Sequence, residues 1–63
     1  MEYEVYLGSY EKVIGRKNAY IKTKGGFIQC EVVGYLYKTK KYQVITDDAR
    51  PLNTDKIYFT AKK

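Results

Sequence analysis

From Glu2 to Leu7 polar and apolar positions alternate. Tyr3, Val5 and Leu7 fall on one face and Glu2, Glu4 and Tyr6 on the other, which is the period of a half-buried strand. Gly8-Ser9 ends that segment. Tyr10 to Ile14 reads as a shorter strand or the arm of a long loop, and Gly15-Arg16-Lys17-Asn18 as a turn by composition. Further on, Lys24-Gly25-Gly26-Phe27 puts two glycines where a tight hairpin needs positive φ. With Gly25 and Gly26 as the loop, Thr23 faces Ile28, Ile21 faces Cys30 and Ala19 faces Val32 on an apolar side. Lys24 with Phe27, Lys22 with Gln29 and Tyr20 with Glu31 make the other, mostly polar side. Turn chemistry and side-chain pattern agree on that pairing.

The second hairpin strand runs on through Tyr35-Leu36-Tyr37, and Gly34 inside it marks a bulge or a sharp bend. A three-residue turn at Thr39-Lys40-Lys41 then pairs Leu36 with Val44 inside, and Tyr37 with Gln43 and Tyr35 with Ile45 outside. Asp47 to Pro51 breaks the next strand, Pro51 to Asp55 reads as a loop with one helical turn, and Lys56 to Thr60 is a last strand with Ile57 and Phe59 inward. Five or six short strands with frequent turns predict an all-β chain, a small antiparallel barrel forming one domain over residues 1–63. The expected core is Val5, Leu7, Ile21, Ile28, Cys30, Val32, Leu36, Val44, Ile57 and Phe59.

The later half has a recognisable order. Gln29-Cys30-Glu31-Val32-Val33-Gly34-Tyr35-Leu36-Tyr37, then Tyr42-Gln43-Val44-Ile45-Thr46-Asp47-Asp48, a short loop and Lys56-Ile57-Tyr58-Phe59 resemble the SH3-like barrels of the Tudor and KOW kind. In those a bent strand, a Tyr-x-Val strand, an acidic turn and a short closing strand follow one another. The resemblance covers about half the chain and implies a fold, not a function. Val32-Val33-Gly34-Tyr35 and Ile57-Tyr58 also resemble two segments of the plasmid-borne type II dihydrofolate reductases, SH3-like barrels that assemble a pore as tetramers. In that family a Gln that contacts the ligands precedes the Ile-Tyr pair. Here Lys56 stands in its place, and the resemblance does not carry the activity over.

Length and composition narrow the chemistry. A 63-residue chain buries only about 60% of its unfolded surface, and such folds often draw on disulfides, metals or oligomers for stability. Cys30 has no second cysteine to pair with, and with no histidine there is no ordinary zinc site. Cys30 in its apolar run is expected as a small buried hydrophobe, and the lack of a disulfide framework points to a reducing, cytoplasmic compartment. No apolar run approaches the roughly 18 residues of a membrane span, and the acidic start is unlike a signal peptide.

General acid–base catalysis at neutral pH most often uses histidine. Asp47 and Asp48 read as turn formers, Glu2 and Glu4 as a solvated edge, and no phosphate-binding glycine loop occurs. The expectation is a binding module, not an enzyme, with no cofactor and no metal.

Charge then suggests what is bound. The net charge is +5, and its distribution matters more than its total. Residues 1–11 carry three acids and no base, whereas residues 12–24 carry five bases and no acid. The 47–55 segment is net negative, and Lys56, Lys62 and Lys63 make the end basic again. On the expected outward face Tyr20, Lys22, Lys24, Tyr35, Tyr37, Lys38, Lys40, Lys41 and Tyr58 interleave rings and ammonium groups. That is the chemistry of a single-stranded nucleic-acid platform, DNA or RNA, in which lysines neutralise phosphates and rings stack on bases.

The competing expectation is a protein-interaction module. Val33, Tyr35 and Ile45 would form an exposed apolar patch able to seat a host protein or a second copy of the chain. The Lys-, Tyr-, Ile- and Asn-rich composition also follows from A/T-rich codons, and a tiny domain of this kind suits a phage or mobile-element product.

Overall fold

A computed structural model describes residues 2–61. The chain is all-β: β1 (Tyr3–Val5), one turn of 3-10 helix (Tyr10–Lys12), β2 (Ala19–Thr23), β3 (Gly26–Leu36), β4 (Lys41–Thr46), β5 (Pro51–Thr54) and β6 (Tyr58–Thr60). The six strands form one antiparallel sheet in the order β1-β6-β2-β3-β4-β5. Hydrogen bonds do not close it into a barrel, so β1 and β5 are its edges. β3 is the spine: its first half pairs with β2 and its second half with β4.

The first hairpin forms with its faces as expected, but the register is shifted by two residues and the two-residue turn lies one position earlier. Ala19 faces Cys30, Ile21 faces Ile28, and Thr23 faces Gly26. The Thr23 hydroxyl explains the shift, since it donates to the Gly26 carbonyl at 2.8 Å and accepts the Gly25 amide at 3.2 Å. That side-chain clamp closes the turn around Lys24-Gly25. Positive φ is needed at Gly26 alone, at 117°, a conformation glycine adopts without a Cβ penalty.

The break expected near Gly34 is present as a register shift between Val32 and Gly34, and it has a larger effect than a bend. Val32 pairs with Val44 before it, and Gly34 with Gln43 after it. The extra residue, Val33, inverts the inside–outside phase of everything that follows. Tyr35 therefore faces Tyr42 and packs on the core, while Leu36 moves to the outward phase opposite Lys41. Both positions are the reverse of the expectation. The turn is also longer, from Tyr37 to Lys40, with Lys40 at φ 56°.

Pro51 to Thr54 is the edge strand β5, not a loop. Its residues pair with β4 from Ile45↔Pro51 to Tyr42↔Thr54. Proline is compatible there because the first residue of an edge strand can spare its amide donor. The buried core consists of Val13, Ala19, Ile21, Cys30, Val32, Tyr42, Val44 and Ile57, with Tyr6, Tyr10, Ile28, Tyr35 and Phe59 packed against it.

Val5 and Leu7, expected inside, are 37% and 88% exposed. The inward residue at this end is Tyr6, whose amide donates to the Ile57 carbonyl at 2.8 Å and whose ring meets Phe59 edge-on at 5.6 Å. Val5 instead pairs with Tyr58 on the outer face, and Leu7 lies beyond the last paired residue of β1. Among the described residues no helix is long and apolar enough to cross a membrane.

Candidate nucleic-acid interface

Every tyrosine and phenylalanine has an aromatic partner, and the rings sort into separate groups. On the outer face of β1, β6, β2 and β3, Tyr20 and Tyr58 are direct cross-strand partners. Tyr3 stacks on Phe27 at 4.0 Å and meets Tyr20 edge-on at 5.0 Å, and Phe27 meets Tyr58 at 5.1 Å. All four rings are half-buried, so each keeps part of its surface open. Lys22 is exposed on the same face directly opposite Phe27, and Lys24 sits in the adjoining turn.

The second group gathers around the far half of β3. Tyr10 stacks on Tyr35 at 5.1 Å, Tyr37 meets both edge-on, and Tyr35 meets Tyr42 at 4.9 Å. Here the 3-10 turn lays Tyr10 over the sheet, and Tyr37 stands at the rim of the group, 66% exposed. The neighbouring Tyr10 hydroxyl pushes the Tyr37 phenol up to about 12, chiefly by hydrogen bonding. Burial, followed by Tyr35 and Tyr6, raises the phenol of Tyr42. A groove of about 480 Å³ runs along Tyr35 to Thr39.

The residues named as a single binding face are thus divided. Tyr20, Lys22, Lys24 and Tyr58 lie together at the β2–β3 end, whereas Tyr37, Lys38 and Lys40 occupy the β3–β4 turn and Lys41 opens β4. The two turns cap opposite ends of an 11-residue strand, whose length of roughly 35 Å at about 3.3 Å per residue is comparable with the 33 Å long axis of the molecule. Lysines from both turns therefore do not form one patch. Tyr35 faces inward and leaves both the ring platform and the apolar patch, in which Val33 and Ile45 remain exposed at 43% and 38%. Lys62 and Lys63 lie outside the described residues.

Tyr3 and Phe27 were not among the expected site residues. Tyr3 shares the face of Val5 and Leu7, two expected core residues, and the signal that turns this face outward is Tyr6, the large ring on the opposite phase. Phe27 was legible as outward, opposite a lysine in either register.

Elsewhere, a groove of about 270 Å³ is lined by Lys17, Gln29, Cys30, Glu31, Ile45, Thr46 and Asp47, with Gln29 Nε2 donating to the Lys17 carbonyl at 2.8 Å. Burial pushes the Cys30 thiol up to about 11, which keeps it protonated and weakly nucleophilic at neutral pH. The acidic turn is self-contained. The Thr46 hydroxyl donates to the Asp48 carboxylate and Arg50 pairs with it at 3.2 Å, an arrangement that holds Asp48 below the usual carboxylate range. Among the described residues no cluster of three metal-ligating side chains occurs. Comparison with protein-family models, curated proteins and solved structures finds no match.

Proposed function

We propose that the protein is a non-enzymatic module that binds single-stranded nucleic acid on the outer face of β1, β6, β2 and β3. In this reading the sheet is an SH3-like barrel left open at one seam. The observation that carries the proposal is the set of four half-buried rings, Tyr3, Tyr20, Phe27 and Tyr58, with Lys22 beside them on one face. Such a surface offers stacking planes to bases of any identity and a cation to the backbone. The Lys38-Lys40-Lys41 turn, at the other end of β3, supplies a weaker electrostatic contribution to strands long enough to reach it.

Fluorescence anisotropy with labelled oligonucleotides across a salt series tests this. Tyr58→Leu, which keeps an apolar side chain on the face, should cost about 1–3 kcal/mol of affinity and leave the salt dependence unchanged. Lys22→Ala should reduce the slope of log affinity against log salt by about one unit or less. No binding by the wild type at low salt, where charge is least screened, would remove the proposal. The alternative is then a protein partner on the exposed Val33 and Ile45 positions.

A further inference from the structure

The most basic stretch of the chain, residues 12–24, does not deliver all its cations to the outer face. Lys12 and Arg16 instead border a groove of about 260 Å³ whose other walls are Tyr6, Val13 and Phe59. Val13 is buried at 3% exposure, and Tyr6 and Phe59 belong to the inward packing. The groove thus has an apolar, aromatic wall and a cationic rim. No acidic side chain lines it. The nearest acids by connectivity are Glu4, the cross-strand partner of Phe59, and Glu11, in the 3-10 turn.

The loop that carries the two cations is held in place. The Val13 and Ile14 amides donate to the Tyr10 carbonyl, each at 3.0 Å, and the Arg16 amide to that of Val13 at 2.9 Å. Gly15 and Arg16 then exchange hydrogen bonds with Val32 of β3 at 2.7 and 2.9 Å. Val32 is fully buried, so this loop is fastened to the centre of the sheet. The exchange requires φ 84° at Gly15, and a glycine meets that need without strain. Among the described residues neither Lys12 nor Arg16 forms a salt bridge. Two cationic side chains on the rim of one apolar groove make a setting that favours an anion.

We infer that this groove binds a phosphate attached to a planar ring, as a nucleotide presents it, with the ring against Tyr6 and Phe59 and the phosphate between Lys12 and Arg16. At about 260 Å³ the groove lies near the lower end of the about 300–1,000 Å³ of small-molecule sites, the size of a small ligand. Arginine supplies the planar fork that matches phosphate oxygens, and lysine a point charge beside it. The same chemistry is offered by a free nucleotide and by the phosphorylated end of a strand. The site does not depend on the outer ring platform, from which it differs in every residue.

The test is nuclear magnetic resonance on isotope-labelled full-length protein, titrated separately with inorganic phosphate, adenosine and adenosine monophosphate. Saturable shifts confined to Tyr6, Lys12, Val13, Arg16 and Phe59, with adenosine monophosphate binding at least tenfold tighter than either fragment, are the expected result. The Lys12→Ala/Arg16→Ala double variant, whose exposed side chains are dispensable for folding, should lose at least tenfold in affinity with its remaining spectrum intact. Phosphate binding as tightly as the nucleotide overturns the ring's role. Shifts centred elsewhere, or an unweakened double variant, overturn the site. A terminally phosphorylated oligonucleotide that displaces the nucleotide, when its unphosphorylated counterpart does not, identifies a strand end as the source, and failure to displace identifies the free nucleotide. Because Tyr58→Leu leaves this groove untouched, loss of the outer-face reading and loss of this one are separate results.

Discussion

Replacing Ile57 and Leu7 by alanine, each alone, tests the arrangement of the N-terminal edge, because the hydropathy pattern places both side chains inside and the structure keeps only Ile57 there. Ile57 is fully buried although it precedes the three-residue strand β6. Its carbonyl accepts the Tyr6 amide, which ties it to the segment that contains Leu7. Leu7 is 88% exposed. Truncating Ile57 removes three carbon groups at about 0.8 kcal/mol each, or about 2.4 kcal/mol, before any cavity is counted. The cavity places the total in the about 2–5 kcal/mol range of such core truncations. A chain of this length has about 3–9 kcal/mol of stability in all, so Ile57→Ala leaves it marginal. Leu7→Ala should fall within about 0.5 kcal/mol of the wild type, as exposed substitutions do. Urea denaturation followed by circular dichroism reads both, with Ile57→Val, at about 0.5–1.5 kcal/mol, as a milder variant that stays folded. Equal losses from Leu7→Ala and Ile57→Ala would show that Leu7 is packed and that the inward role given to Tyr6 is mistaken.

Two further outcomes follow from local chemistry. The Cys30 thiol is raised from 9.0 to about 11 by burial, so its neutral form is favoured by folding. Its contribution to stability is complete below pH 9 and is lost as pH rises through about 11. Denaturant midpoints measured across that interval should decline. Cys30→Ala should flatten part of the decline, Tyr42 retaining a share of the same sign, and an identical decline in the variant would refute the assignment. Ala49 sits at φ 66° in the acidic turn, where a Cβ costs roughly 1–2 kcal/mol and the added chain entropy of glycine offsets about 0.4–1 kcal/mol. Ala49→Gly should therefore raise stability by up to about 1.6 kcal/mol in the same assay, and a loss would contradict the strain.

In the central strands the pattern gives the inward face: Ile21, Cys30, Val32, Val44 and Ile57 fall inside as it indicates. At the N-terminal edge the alternation is as regular, yet Tyr6 and not Val5 or Leu7 is the inward side chain. Elsewhere local chemistry overrides the pattern. In the first hairpin a threonine hydroxyl, not the glycine pair, closes the turn. A slip of two residues preserves the faces, so the hydropathy pattern cannot detect it. In β3 the extra residue at Val33 inverts the phase and exchanges Tyr35 with Leu36. The sequence announces a disturbance at Gly34 but not its size. β5 escaped notice because Pro51-Leu52-Asn53-Thr54 is short, mostly exposed and led by a proline, all of which an edge strand tolerates.

The same bulge decides where binding chemistry can be. Had β3 kept one phase, Tyr20, Tyr35 and Tyr37 would have continued as one outward row of rings, with lysines at both ends. The inversion instead draws Tyr35 down onto Tyr42, where the 3-10 turn closes over it with Tyr10. The row of rings is split: Tyr35 and Tyr10 pack on the core while Tyr37 stays 66% exposed at their rim. The other outward group, nearer the first hairpin, is Tyr20 and Tyr58 joined by Tyr3 and Phe27. Its local cations are Lys22 and Lys24, not the whole basic complement of the chain. The Tyr10–Arg16 segment that completes the buried cluster also carries Lys12 and Arg16 to the groove beside Tyr6 and Phe59. One inserted residue in one strand thus accounts for the inward turn of Tyr35 and for the division of the rings into two separate groups.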